Sequence, residues 1–414
     1  MTDDRPAAAR ALTSGPAGAV LAVLDRDGEE ARIVGGAVRN VLLGVPPGDI
    51  DIATTALPDE VIRRTTAAGF RPVATGIEHG TVTIVADGLP FEVTTLRQDI
   101  ETYGRRAKVV FGRDWRLDAL RRDFTINALF LARDGTVHDY VGGRADLAAH
   151  RVRFIGDPAT RIAEDYLRIL RFFRFHATYG EGPPDPAGLA AGVRARDGIA
   201  SLSRERVRME LVKLLTAPRA GPTLALMTET GILGPVLGSV PLVGSFARMA
   251  AIEAASGLGP DACRRLGALA VFIVEDAERL SERLRLSNAE TERLTSMAQA
   301  WWRLPAAVAD ERALRALLYR LGEQRFVDRM TLAWSRTPAD ASDPVWRRAV
   351  TLPQRWQPPT FPLKAADLIV RGIAKGPALG QALAAAEEAW VVADFPHEAS
   401  SLAAIADAAV SSKP

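Results

Sequence analysis

Apolar and polar residues alternate in several short runs along the first 155 residues of the chain. ARIV at 31–34 is a short apolar run before a glycine pair and predicts a strand, and GDIDIATTA at 48–56 alternates and predicts a second one. TVTIVA and LPFEVTTL, on either side of Asp87-Gly88, predict a β-hairpin. AVRNVLLG and LPDEVIRRTTAAGF have helical periodicity, so this region is predicted to be a small mixed sheet covered by helices.

Helical periodicity dominates from about residue 156 onwards, where strand patterns nearly vanish. The segment at 161–180, RIAEDYLRILRFFRFHATYG, is predicted to form one long helix with an apolar stripe through Tyr166, Leu170 and Phe173. The pattern as a whole therefore predicts the α+β class, with a mixed-sheet region followed by an all-α region.

Length, charge and cysteine content narrow the class of protein. The chain has 414 residues, too many for one ordinary core, so about two to four domains are expected. Its 52 Lys and Arg residues nearly balance 50 Asp and Glu residues, and net charge alone does not identify a nucleic-acid binder. Cys263 is the only cysteine, which excludes an intramolecular disulfide and favours a cytoplasmic location. No apolar run resembles a signal peptide or a membrane span, so no membrane partner is expected.

Two aspartates, Asp49 and Asp51, lie two positions apart in the second predicted strand. In an extended segment they would point to one face, while Ile50 and Ile52 point into the core. Glu92, on another predicted strand, is a candidate third carboxylate. Neighbouring carboxylates repel unless a cation lies between them, and Mg²⁺ takes such oxygens together with substrate phosphates. The alternative interpretation is a solvated strand end.

The glycine pair Gly35-Gly36 follows the first predicted strand and opens a helix. Free backbone N–H groups at such a turn bind phosphate, and Arg39 is placed to contact a triphosphate. An ordinary tight turn is the alternative.

A second group of polar residues is Asp165 and Arg168, three apart in the long predicted helix. Asp165 can accept a hydrogen bond from the amino group of cytosine or adenine, and Arg168 can donate one to the neighbouring ring nitrogen. Uracil and guanine present a carbonyl beside an N–H, in the reverse order, so the two side chains would remain unpaired against them. An intrahelical salt bridge is the alternative.

Asp123 and Asn127, on a predicted helix start, would bind a ribose hydroxyl or cap that helix. The basic segment at 105–122 would contact phosphates or form a solvated face.

These segments together resemble the class II tRNA nucleotidyltransferases, the bacterial and eukaryotic CCA-adding enzymes of the polymerase beta superfamily and the poly(A) polymerase family. The resemblance covers about residues 31–217 and rests on motifs in this order: GGAVRNVLLG…GDIDIATTA, TGIEHGTVTIV, FEVTTLR, RRDFTINAL, HDYVGGRADL, RFIGDPATRIAEDYLRILRFFRF and SRERVRMELVKLL.

The resemblance implies template-independent addition of C, C and A to tRNA from CTP and ATP, with Mg²⁺ as cofactor and no obligate protein partner. It implies a nucleotidyltransferase head at 1–155, a helical neck at 156–225, a body at 226–335 and a tail at 336–414. It implies that Asp49 and Asp51 hold the metal, and that Gly35, Gly36 and Arg39 contact the triphosphate. It implies that Arg122 and Asp123 hold ribose and phosphate. The residues implied in base selection are Glu164, Asp165, Arg168 and Arg171. The chain departs from the family pattern at Asn40, where an aspartate is usual, which puts an orienting pair with Arg39 in doubt.

Several alternatives remain open within and outside this class. The enzyme would add only A, or a poly(A) tail, if its specificity differed. The segment RQDIETYGRRAKV, with Asp99, Gly104 and Arg105, resembles a loop element that CC-adding enzymes lack. A non-catalytic RNA-binding protein is the alternative from another class. An added phosphohydrolase is disfavoured, because the five histidines are scattered and His138-Asp139 belongs to a family motif.

Overall fold

A computed structural model describes residues 5–103 and 106–411 of the chain. Gly104 and Arg105, assigned above to a loop element, lie outside the described residues, as do the side chains from 98 to 109. The chain divides into two compact units, Met1–Val236 and Leu237–Pro414. The first unit contains the regions predicted as head and neck, and the finer division into four domains stays a prediction.

The first unit contains a mixed β-sheet, as the alternating runs predict. Its strand order is β3-β4-β5-β2-β1-β8-β9, and β6 pairs with β7 separately. The pairing of β2 with β5 is parallel, whereas the neighbouring pairs are antiparallel. The predicted hairpin is confirmed, since Asp87 and Gly88 take positive φ angles of 51° and 78° between β4 and β5. The strands are β1 (Ala31–Val34), β2 (Asp51–Thr54), β3 (Arg71–Gly76), β4 (Thr81–Ala86), β5 (Leu89–Thr95), β6 (Arg97–Tyr103), β7 (Arg106–Phe111), β8 (Leu129–Ala132) and β9 (Val137–Asp139).

Helices of the first unit lie before, between and after these strands in the chain. They are α1 (Arg5–Leu12), α2 (Gly15–Leu24), α3 (Gly36–Leu42), α4 (Pro58–Ala67), α5 (Trp115–Leu120), α6 (Gly143–Ala148), α7 (Pro158–Glu164), α8 (Leu167–Tyr179), α9 (Pro186–Arg194), α10 (Arg204–Leu215) and α11 (Ala220–Glu229), with α12 (Leu233–Leu237) at the boundary of the unit. Gly143 is required by close packing, because a Cβ there would lie 2.2 Å from the carbonyl oxygen of Thr125.

The second unit is helical throughout its described residues. Its core is built around Phe326 and Trp334, both fully buried on α19. The helices are α13 (Val243–Ala255), α14 (Ala262–Ala270), α15 (Val274–Leu284), α16 (Asn288–Ala298), α17 (Leu304–Ala307), α18 (Glu311–Leu321), α19 (Glu323–Ser335), α20 (Pro344–Val350), α21 (Leu352–Arg355), α22 (Ala365–Ile369), α23 (Pro377–Val392) and α24 (Ala399–Ser411). Of the helices described in either unit, none is long and apolar enough to cross a bilayer.

The prediction of one long helix at 161–180 is wrong. The segment breaks into α7 and α8, because Asp165 adopts an extended conformation with φ −158° and ψ 107°. The Asp165 carboxylate accepts a hydrogen bond of 3.1 Å from the backbone N–H of Leu167. A short acidic side chain competes in this way with helix continuation and favours a new helix start. Glu164 and Asp165 therefore precede the helix that carries Arg168.

Candidate active site

Asp51 at the start of β2 and Glu92 in the middle of β5 lie on two neighbouring central strands, and Asp49 precedes Asp51 by two residues. β2 begins at Asp51, which is the direct register partner of Glu92 across the parallel β2–β5 pair. The strand is shorter than predicted, so Asp49 lies in the loop just before it. All three acids are exposed, while Ile52 and Val93, the next residues along the two strands, are buried. Strand alternation therefore turns Asp51 and Glu92 away from the core.

Desolvation and neighbouring negative charge both act on the carboxyl group of Asp51. The pKa of its carboxyl group is raised from 3.8 to about 6. The largest cause is desolvation by the protein atoms that crowd the carboxylate, although the residue as a whole is exposed. The negative charge of Glu92 raises the pKa further and Asp49 adds to it, whereas Arg122 acts in the opposite direction.

This acidic edge fits a hard divalent cation. None of the three carboxylates forms a hydrogen bond or an ion pair with another residue in the part of the chain that the structure describes. Across residues 5–103 and 106–411, no group of three or more His, Cys, Asp or Glu side chains forms a preformed metal cage. Mg²⁺ needs no such cage, because it is usually bound through one or two carboxylates and completed by substrate phosphates and water.

The glycine turn opens α3 beside this edge. Gly35 takes φ 76° and ψ −125°, a conformation that residues with a Cβ avoid. Its backbone N–H donates to the carbonyl of Leu129 at 3.1 Å, which ties the turn to β8. Gly36 is the first helical residue, and a Cβ there would lie 3.5 Å from Nη2 of Arg39. The turn therefore packs closely against Arg39.

Arg39 is buried, with 5% of its surface exposed. Its Nη1 donates to Asn127 Oδ1 at 2.5 Å, and its Nη2 donates to the Tyr179 hydroxyl at 2.6 Å. The guanidinium carbon also lies 3.9 Å from the centre of the Tyr179 ring. Burial is the largest cause that lowers the Arg39 pKa to about 10. These donors are engaged by protein groups, and the contact of Arg39 with a triphosphate stays a prediction.

Asn40 takes the place of the usual aspartate beside Arg39. Its Oδ1 accepts from Arg39 Nε at 3.2 Å and from Nη2 at 3.0 Å. Its Nδ2 donates to the carbonyls of Pro46 and Pro47 at 3.1 and 3.2 Å, in the loop that leads to Asp49. The neutral amide of Asn40 therefore makes the contact with Arg39 that an aspartate would make in the usual family pattern.

Arg122, Asp123 and Asn127 lie close to one another next to Arg39. Arg122 Nη2 donates to the buried Asp118 at 2.9 Å, and Asn127 Nδ2 donates to Asp123 Oδ1 at 3.1 Å. The predicted helix start is a single 3₁₀ turn, Thr125–Asn127. The three residues lie together in the structure, but their roles toward ribose and phosphate stay predictions.

The expected pairing of Asp165 with Arg168 is not found. Asp165 Oδ2 instead accepts from Arg206 Nη2 on α10 at 2.6 Å. Arg168 Nη1 pairs with Glu164 and also donates to the carbonyl of Arg161 at 2.6 Å. The intrahelical salt bridge therefore does not form, because Asp165 lies outside the helix and faces α10. Arg206 was not among the candidate residues.

Arg171 connects this region to the sheet domain. Its Nε and Nη2 donate to Asp123 Oδ2 at 2.8 and 2.6 Å, and its Nη1 lies 3.4 Å from Glu210 on α10. Glu210 also accepts from Arg174. The sequence motif SRERVRMELVKLL contains Arg206 and Glu210, but nothing in their spacing indicates partners on α8 or before it.

Asp139, the aspartate of the motif HDYVGGRADL, has a structural role. Asp139 accepts hydrogen bonds of 2.9 to 3.1 Å from four backbone N–H groups, those of residues 141 to 144. These contacts fix the start of α6 and leave the Asp139 carboxylate occupied, as expected for a helix N-terminus.

Comparison with protein families gives two matches. Residues 31–153 match the Poly A polymerase head domain, which covers the sheet and the carboxylate edge. Residues 185–242 match the model described as a probable RNA and SrmB-binding site of polymerase A.

Individual relatives extend the likeness over most of the chain. CCA tRNA nucleotidyltransferase 1, mitochondrial, of Homo sapiens is 33% identical over 90% of this chain and 85% of its own. The CCA-adding enzyme of Limosilactobacillus fermentum is 34% identical over 89% of this chain and 90% of its own. The crystal structure of the Bacillus stearothermophilus CCA-adding enzyme in complex with CTP superposes with a TM-score of 0.70, at 29% identity over 92% of this chain and 93% of that one. The chain belongs to the CCA tRNA nucleotidyltransferase family.

Proposed function

We propose that the chain adds C, C and A to the 3′ end of tRNA from CTP and ATP, with release of pyrophosphate and without a nucleic-acid template. The observation that carries this proposal is the register pair of Asp51 and Glu92 on two central strands of a nucleotidyltransferase sheet, with Asp49 beside it. Family membership and the CTP complex of the Bacillus stearothermophilus relative support the choice of substrate.

In this proposal, Asp49 and Asp51 hold divalent metal, with Glu92 as the third acid, and Mg²⁺ is the proposed ion. The donors are carboxylate oxygens, which suit Mg²⁺ better than softer metals. When bound, such ions lower the pKa of an attacking hydroxyl and neutralise charge on a leaving pyrophosphate. The acids themselves orient the ions and carry no proton in the reaction.

The remaining residues bind and orient the nucleotide. The backbone of Gly35-Gly36 approaches phosphate closely, and Arg122 contributes positive charge beside Asp51. Asp123 and Asn127 face the ribose, while the buried Arg39 holds Asn127 in place.

The base is selected by polar groups around the α7–α8 break. Glu164, Asp165, Arg168 and Arg171 supply acceptors and donors there, with Arg206 orienting Asp165. A base with the wrong order of donors and acceptors would leave these partly buried groups unpaired, which is the costly outcome.

The metal role is tested by Asp49→Ala in an assay of CMP incorporation into tRNA that lacks CCA. Incorporation should be lost, while the melting temperature and tRNA affinity stay close to wild type, because Asp49 is exposed and makes no ion pair with any described residue. Asp59→Ala, an exposed acid in the first turn of α4, is the matched control and should be active. Activity retained by Asp49→Ala would refute the metal role. The ion itself is identified by titrating Mg²⁺, Mn²⁺ and Ca²⁺ in the same assay.

Separate assays distinguish the related activities. The wild-type protein is given CTP alone or ATP alone, with tRNAs that end before and after CC. Full CCA addition requires CMP on the first tRNA and a single AMP on the second. AMP on the second tRNA alone would indicate an A-adding enzyme, and long A tracts a poly(A) polymerase. No incorporation with any divalent ion would indicate a non-catalytic RNA-binding protein.

We propose the cytoplasm as the site of this activity, on the strength of the single cysteine. Relatives named as mitochondrial make an organelle the competing location. Fractionation of the source cells with detection of the protein tests this assignment.

A further inference from the structure

Tyr179 is the last residue of α8, the helix that begins next to the base-selecting residues. It follows Arg168 by eleven residues, which corresponds to about 16 Å along a helix axis. The two residues thus mark opposite ends of one rigid element. A contact that fixes Tyr179 also limits how the Arg168 end can tilt.

At the Tyr179 end, α8 meets the helix that starts at the glycine turn. Nη2 of Arg39 donates to the Tyr179 hydroxyl at 2.6 Å, and that hydroxyl lies 3.3 Å from Asn40 Oδ1. The Tyr179 ring lies 3.9 Å from the Arg39 guanidinium carbon and stacks on Phe175 with a centroid distance of 5.8 Å. The phenol therefore contributes both a hydrogen bond and a cation–π contact.

A second tether joins α8 to the same region two turns earlier. Arg171 pairs with Asp123 at 2.6 Å, Asp123 accepts from Asn127, and Asn127 accepts from Arg39. The two tethers therefore share Arg39 and close into one network of hydrogen bonds. A helix held at two points in this way has a defined axis relative to the glycine turn.

We propose that Tyr179 is a positioning residue that aligns α8 with the glycine turn and thereby sharpens the choice between nucleotide bases. The triphosphate is held at one end of this network and the base is tested near the other. Misplacement of one by about 1 Å is enough to weaken both rate and discrimination. Tyr179 acts through Arg39 and α8 and makes no contact with the nucleotide in this proposal, which rests on the proposed function.

Tyr179→Phe tests the proposal, because it removes the hydroxyl and keeps the ring over Arg39. We expect kcat/KM for CTP to fall about tenfold, as for a lost hydrogen bond to a charged group. The value for UTP should fall less, so that the CTP-to-UTP ratio narrows. The melting temperature and the tRNA dissociation constant should stay close to wild type.

Tyr319→Phe is the matched control in the second unit. Its hydroxyl bonds to a charged group, Glu387, so the same chemical group is removed far along the chain. This control should keep the CTP-to-UTP ratio.

Three outcomes overturn the proposal. An unchanged ratio in Tyr179→Phe means that the hydroxyl has no part in selection. A lower melting temperature or weaker tRNA binding with an unchanged ratio means that the role is structural. Wild-type protein that incorporates no nucleotide overturns the proposed function together with the role of Tyr179. The wild-type assay therefore distinguishes a failure of the proposed function from a failure of the Tyr179 proposal alone.

Discussion

Two acidic clusters in this molecule have opposite surroundings. In the first unit, Asp49, Asp51 and Glu92 are exposed and lack an ion-pair partner among the described residues. In the second unit, Asp328 and Glu253 are fully or nearly fully buried and are surrounded by arginine.

The buried cluster is a satisfied network. Asp328 accepts from Arg264 Nε at 3.2 Å, from Arg293 Nε at 2.7 Å and from Gln324 Nε2 at 2.9 Å. Glu253 accepts from Arg264 at 3.1 Å, so one guanidinium bridges both acids. Each buried charge therefore has a counter-ion, which is the condition under which burial is tolerated.

The difference teaches which acids are available for chemistry. Arginine neutralises the acids of the second unit within the protein, and nothing is left for a ligand to supply. In the first unit, Glu92 and Asp49 repel Asp51, and the positive charge of Arg122 offsets this repulsion only in part, so a ligand can supply further positive charge. Acidic residues that the fold leaves unpaired are therefore better candidates for a functional site than acidic residues that are merely clustered.

The largest effect is expected from Asp51→Asn. Incorporation of CMP should fall on the order of 10⁴-fold, about 5.5 kcal/mol of transition-state stabilisation. The folded protein should be unchanged or slightly more stable at pH 7 without metal. The pKa of Asp51 is raised from 3.8 to about 6, so its ionised form opposes folding above that range and stability falls as pH rises through it.

Single-turnover kinetics and thermal unfolding at pH 7 check both parts of this prediction. A variant that loses stability as well as activity would show that Asp51 is a structural acid like Asp328. The comparison between the two clusters would then break down.

The next largest effect is expected from Asp328→Asn, now on stability. The free energy of unfolding should fall by about 3–5 kcal/mol, because the buried Arg264 and the partly buried Arg293 lose the carboxylate that they share. Urea denaturation followed by circular dichroism measures it. Glu292→Gln is the control, since its pair with Arg325 is exposed and should be worth less than about 1 kcal/mol.

Local sequence signals predicted much of the fold and the acidic edge. Alternation placed Ile52 in the core and Asp51 outside it, and Asp87-Gly88 specified a hairpin. These features depend on neighbours within a few positions, so they can be read from a single sequence. The parallel pairing that sets Asp51 beside Glu92 joins two strands that are distant in the chain. From the sequence, Glu92 was therefore only a candidate third carboxylate.

Contacts between distant elements were missed. Arg206 reaches Asp165 from 41 positions away, and Tyr179 reaches Arg39 from 140 positions away. Helical periodicity also concealed the break at Asp165, because Ile162 on α7 and Tyr166 are four positions apart, as on one continuous helix. There the local preference of aspartate for the backbone N–H of Leu167 overrides the periodic pattern.

A moderate effect is expected from Arg206→Met, because Asp165 is an intermediate case: part-buried, with an arginine partner, yet at the proposed site. The KM for CTP and ATP should rise about tenfold while tRNA affinity is kept, since Asp165 loses the group that orients it. Steady-state kinetics with each nucleotide measure this. Lys213→Met, an exposed residue on the same helix, is the control. An unchanged KM would mean that Asp165 has a structural role, as Asp328 does, and no part in nucleotide binding.

The smallest effect is expected from Asn40→Asp, which adds an acid where the first unit uses a neutral amide. The new carboxylate would strengthen the contact with Arg39, as a charge-assisted hydrogen bond is stronger than a neutral one. It would also lose the two hydrogen bonds that Asn40 donates to Pro46 and Pro47, each worth about 1 kcal/mol. These changes offset each other, and kcat/KM for CTP should stay within about threefold of wild type. Asn40→Ala, which loses both contacts, should be clearly less active in the same assay. A large loss in Asn40→Asp alone would mean that the amide's grip on the loop before Asp49, and not its contact with Arg39, maintains the acidic edge.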